Sequence, residues 1–127
     1  MQSQKEQALK RLERMYKNLD TGMTRNKYLD MCEQLGKEPS DKEIPPDWDD
    51  FPELVRDAIN TFNQLGDRVF PEIGYVGKDY QNLKYFIDFY RVDDVEFYLE
   101  VLSWLDSRAI KKSSQDLKRQ YDKLKRK

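Results

Sequence analysis

Residues 49–66, DDFPELVRDAINTFNQLG, decide the fold class. Pro52 suits the first turn of a helix, where a missing N–H removes nothing, and Asp50 and Glu53 favour the positive end of the helix dipole. Leu54, Val55, Ala58, Ile59, Phe62 and Leu65 then recur at three- and four-residue steps, which makes one apolar stripe along one helix face. Gly66 ends it.

Working outward, the same period returns. Ala8, Leu9, Leu12, Met15, Tyr16 and Leu19 predict a helix over 3–20, stopped by Gly22. Thr24 is read as the cap of the next helix, with Tyr28, Leu29, Cys32 and Leu35 on its buried face and Gly36 at its end. Met23 is an alternative start, which would make 3–20 an extension of the body. On the other side, a helix beginning near Asp79 buries Leu83, Phe86, Ile87 and Tyr90. Asp93 and Glu96 read as a capping box opening a helix that carries Val95, Tyr98, Leu99, Leu102, Leu105 and Ile110. Leu117, Tyr121 and Leu124 keep that spacing to the end, under a charge load that leaves a marginal helix or a frayed tail. RVFPEIGYVG (68–77) reads as a short hairpin around Pro71–Gly74 or as an irregular loop with Val69, Phe70, Ile73 and Tyr75 over the core, and the loop is preferred because a lone two-stranded ribbon is marginal in water.

The expected fold is therefore all-α: about five helices in a small irregular bundle, with a Pro-rich acidic loop and one Gly-containing aromatic loop. A chain of 127 residues fits a single domain, 1–127, with its core in 23–110 and extensions at 3–20 and 111–127. At 38% hydrophobic and 37% charged it has little apolar material to spare, so its aromatics must supply much of the core.

The net charge of −1 conceals an uneven layout. Residues 1–22 carry +2, and residues 108–127 hold nine basic against two acidic side chains, or +7. The middle, 23–107, is left at −10, which argues against general binding of nucleic acid by the body. There is no histidine, so the commonest general base and metal ligand is missing. Cys32 is the only cysteine and falls on an apolar helix face, so it reads as a buried thiol in a reducing compartment rather than a nucleophile. No apolar run approaches the ~20 residues that span a bilayer, and the charged start is not a secretory signal, so a cytoplasmic location without membrane contact is expected.

Two motifs invite chemistry and fail. Gly77 and Lys78 suggest a phosphate loop, but the Walker pattern would put Glu72 at its first glycine and Asp79 at its hydroxyl position, and both carboxylates repel phosphate. Asp47, Asp49, Asp50 and Glu53 lack the alternation and central glycine of a calcium loop. No enzyme activity, cofactor or metal is expected.

EIPPDWDDFPELV (43–55) has two further readings. As a clasp, Pro45 and Pro46 hold it extended across the body while Trp48 and Phe51 seal the core edge. As a docking surface, Trp48, Asp49, Asp50 and Phe51 form an acidic–aromatic patch for a basic protein partner. Tyr75, Lys78 and Tyr80 are a second candidate set for partner contact. At the C-terminus, Lys118, Arg119, Tyr121, Lys123, Lys125 and Arg126 are candidates for nucleic-acid contact, competing with a plainly solvated end.

The segments KYLDMCEQLGKEP (27–39), IPPDWDDFPELVRDAINTFNQLGDRV (44–69) and IGYVGKDY (73–80) resemble, in the same order, a family of small proteins encoded by tailed bacteriophages, marine phages included. The likeness covers roughly residues 27–100 and leaves out both basic ends. It implies expression inside an infected bacterium and brings no activity, cofactor or catalytic residue with it. The expected function is a non-enzymatic phage accessory or adaptor protein acting through protein–protein contact. The alternatives are a nucleic-acid-associated protein using the basic C-terminus and a virion assembly protein.

Overall fold

The computed structural model describes residues 3–40 and 43–125. Its regular elements are five α-helices and one two-stranded sheet: α1 (Gln4–Thr21), α2 (Arg25–Leu35), α3 (Glu53–Gln64), β1 (Asp67–Phe70), β2 (Gly74–Lys78), α4 (Leu83–Phe89) and α5 (Val95–Lys125). The fold is mostly helical, as the periodicity predicts. Two compact units divide the chain between Glu53 and Leu54.

In the first unit, helix punctuation follows the residues that encode it. Ser3 Oγ accepts from Glu6 N at 3.2 Å and opens α1. Gly22, left-handed at φ 75°, closes it, and Gly36 at φ 64° does the same for α2. Thr24 caps α2 by accepting from Lys27 N at 3.1 Å. Thr24→Ala is expected to destabilise the protein by about 1 kcal/mol, while Thr24→Ser stays near the parent, as read by urea unfolding. Among the described residues of this unit, Ala8, Leu12, Tyr28, Cys32, Pro45 and Phe51 are the buried apolar ones. Leu29 and Leu35, expected on the buried face of α2, are exposed, so that stripe is narrower than its spacing suggests.

In the second unit, Val55, Ala58, Ile59 and Leu65 are buried, as the stripe of α3 requires. Along α5 the buried positions are Phe97, Tyr98, Val101, Leu102 and Leu105, whereas Val95, Leu99 and Ile110 are partly exposed. The core face is thus rotated from the expected one, towards Phe97 and Val101. Burying each of these side chains contributes about 2 kcal/mol. Tyr98 is completely buried, and its hydroxyl donates to Thr61 Oγ1, which itself donates to Asp57 O at 2.8 Å. The cap of α5 is Asp94, which accepts from Phe97 N at 3.1 Å, and not Asp93, whose carboxylate takes the Asp94 amide at 2.8 Å. Asp79 closes a turn onto Gln81 N, and α4 begins four residues later than expected.

The stretch 68–77 is a hairpin and not an irregular loop. β1 and β2 pair antiparallel, with Asp67 opposite Lys78, Val69 opposite Tyr75, and a bulge that leaves Val76 without a partner residue. The turn places Pro71 before a left-handed Glu72 (φ 72°), the backbone demanded by a type II turn. The ribbon is not alone: β2 lies against α5. It turns its tip to solvent, so Val69, Phe70 and Ile73 are 64%, 49% and 63% exposed and do not cover the core.

The C-terminal stretch is helical through Lys125 as a continuation of α5, and not a tail. The nucleation cost is met once, in the buried first half of the helix, and each later residue needs only propagation.

Candidate functional site

The first unit builds its site on a backbone problem. Pro45 and Pro46 keep the chain from the Ile44 bend to Asp47 out of any helix or sheet, so the Ile44 and Pro45 carbonyls lack helix or ladder partners. Arginines supply the donors. Arg14 Nη2 donates to Ile44 O at 2.7 Å and Arg25 Nε donates to Pro45 O at 3.2 Å. Arg11 Nη1 donates to Asp50 O at 3.2 Å, and Arg25 Nη2 pairs with the Asp50 carboxylate. Arg11 and Arg14 stand three residues apart on α1, hence on one face, while Arg25 is the first residue of α2.

The acidic residues are engaged locally. Asp47 Oδ1 accepts from Trp48 N and Asp50 Oδ2 from Asp47 N, both at 2.8 Å, and the Asp47 side chain also accepts from the Asp50 backbone, which completes a capping box around the 3₁₀ turn Trp48–Asp50. The Asp47 amide, then the Arg25 and Arg11 charges, hold the Asp50 carboxyl below its usual range against partial burial. Glu43 accepts from the Tyr28 hydroxyl at 3.0 Å and faces Lys37 at 3.9 Å.

The two aromatics of this stretch part company. Phe51 is buried at 3% exposure, as a clasp requires, and Trp48 stays at the surface at 36%. Asp49 is exposed and Asp50 is turned to the arginines. The expected continuous acidic–aromatic patch does not form, because Phe51 leaves it and Asp50 is internally paired. Two clefts of about 340 Å³ each take its place. One is lined by Arg11, Arg14, Arg25, Ile44, Pro46 and Asp50. The other has Met15, Leu19, Met23, Pro45 and Trp48 in its wall and shares Arg25 and Pro46 with the first.

In the second unit, Tyr75, Lys78 and Tyr80 do come together, around an acid that sequence reasoning missed. Asp106 Oδ1 accepts from the Tyr75 hydroxyl at 2.5 Å; Oδ2 accepts from the Tyr80 hydroxyl at 2.6 Å and from Lys78 N at 3.1 Å. Burial pushes the Asp106 carboxyl up, yet the two phenols, the Lys78 amide and the Lys78 charge outweigh it and hold it below the usual range. Burial and Asp106 push both phenols well above theirs, so they are donors here and not bases or nucleophiles. Lys78 is 9% exposed; its Nζ pairs with Asp67 at 2.6 Å, donates to Leu65 O at 3.2 Å and lies 4.6 Å from the Phe62 ring centre. This cluster holds the hairpin to α5, and Lys78 is an internal cation rather than an exposed contact.

Lys118, Arg119, Tyr121, Lys123 and Lys125 are exposed on the last turns of α5, with Arg119 3.8 Å from Asp116; Arg126 lies outside the described residues. Among the described residues no group of three or more metal-binding side chains converges, and no helix is long and apolar enough to cross a membrane. No protein-family model, curated protein or solved structure matches the chain.

Proposed function

We propose that the protein is a phage-encoded, non-enzymatic accessory or adaptor protein that works by protein–protein contact, with its contact surface on the rim of the Trp48 cleft. The supporting observation is an indole held at the surface by a capped turn, beside a cleft walled by Met15, Leu19 and Met23. A pre-ordered tryptophan loses little freedom on binding, and flexible methionines adapt to the surface they meet. Partner capture from infected cells under nuclease treatment tests it. Trp48→Ala is expected to weaken recovery at least about tenfold, the usual scale for a central aromatic, with an unchanged melting temperature. A variant that unfolds instead returns Trp48 to a purely structural role.

A second reading, association with nucleic acid, is favoured by the exposed basic end of α5. Recovery that vanishes with nuclease, or on neutralising Lys118, Arg119, Lys123 and Lys125 together, selects that reading.

A further inference from the structure

We infer that the partner offers an acidic segment, a carboxylate beside an apolar side chain, with the carboxylate entering the Arg11–Arg14–Arg25 cleft and the apolar group resting on Met15, Met23 and Trp48. This rests on the reading of the Trp48 rim as the contact surface and assigns the charge of what binds there. The stretch 43–55 is rich in acids, which by itself points to a basic partner. Folding reverses that sign. The first cleft sets three guanidiniums against one carboxylate, Asp50. Glu43 is engaged by Tyr28 and Lys37, and Asp47, which stands in the wall of the second cleft and not the first, accepts from the Trp48 amide. Among the described residues, Asp49 lines neither cleft.

Guanidinium suits this task. It is a planar fork of five N–H donors that matches a carboxylate edge and is only weakly hydrated. The bonds described above use one donor of Arg11, one of Arg14 and two of Arg25. They fix the guanidinium planes on backbone carbonyls, so an entering carboxylate meets an ordered site. Each cleft is at the small end for ligand pockets, which suits single side chains rather than a folded surface. Shared Arg25 and Pro46 make the two clefts neighbours, so an acidic and an apolar residue close together in one peptide reach both.

The test is selection from a displayed random dodecapeptide library on the full chain, followed by fluorescence titration of the selected synthetic peptides. Enriched peptides are expected to pair Asp or Glu with a neighbouring Leu, Ile, Phe or Trp. Their affinity should fall about tenfold in Arg11→Gln, the loss of one charge-assisted bond, and at least as far in Trp48→Ala. Arg11 is exposed, and an unchanged melting temperature in each variant separates lost contact from lost fold. Enrichment of basic peptides that still need Trp48, or acidic ones indifferent to Arg11→Gln, overturns the acidic assignment and leaves the contact surface standing. Peptides indifferent to Trp48→Ala, or no enrichment, overturn both.

Discussion

Asp106→Ala is expected to destabilise the protein by about 4 kcal/mol, enough to lower its melting temperature by roughly 15 °C or more. One carboxylate receives two phenols and a backbone amide, and all three donors lose their acceptor together. A hydrogen bond to a charged group is worth about 1.5–3 kcal/mol, and the stranded Lys78 amide and Tyr75 hydroxyl add desolvation loss. Asp106→Asn, which preserves shape but not charge, should lose about half as much. The acid limb carries a second signature. Because the folded-state pKa of Asp106 is depressed, its contribution is complete above the unfolded value near ~3.9 and is lost as pH falls through the lower folded value. The stability gap between the parent and Asp106→Asn should therefore be constant from neutral pH down to about 5 and shrink below about 4. Urea unfolding at a series of pH values reads it, and a gap undiminished at pH 2 would sink the electrostatic account.

Gly77→Ala should lose about 2–4 kcal/mol for two reasons that a double-mutant cycle separates. Gly77 sits at φ 126°, a backbone state that side chains rarely tolerate, and a Cβ there would stand 3.3 Å from Asp106 Oδ2. Gly22 also has positive φ, but nothing lies within 4 Å of its would-be Cβ. Gly22→Ala should thus show left-handed strain alone, about 1–2 kcal/mol, and the excess at Gly77 combines its less tolerant backbone state with its fit against the carboxylate. Adding Gly77→Ala to Asp106→Ala closes the cycle. The second substitution should do less damage there than in the parent, because the oxygen it crowds is gone. Equal losses in both backgrounds would mean that the glycine and the carboxylate do not act together.

The helices were legible because their signals are local. Gly22, Thr24 and Gly36 mark ends by their own chemistry, and the stripe from Val55 to Leu65 needs only its period. The hairpin was not, because all of β1 is exposed and shows no alternation, and because its support comes from α5, some thirty residues away. Asp106 is one acid among 24, and only its position four residues beyond Leu102, on the buried face, sets it apart. For Trp48 and Phe51, three residues of spacing do not reveal which of them faces solvent. The arginine cluster was the least legible feature. Arg11 and Arg14 look like the solvated face of α1 until the prolines of a distant loop leave carbonyls needing donors.

The unbroken run of α5 bears on how its basic end would meet a charged surface. Ser113 Oγ accepts from Tyr75 N at 3.3 Å, and twelve helical residues later Lys125 stands about 18 Å further along the axis. A loose tail would sweep a volume, contacting many points weakly and losing freedom each time it settled. A rod continuous with the core keeps its lysines in a set order and direction. It therefore trades capture radius for alignment, favouring surfaces whose charges repeat along a line over those that merely carry many.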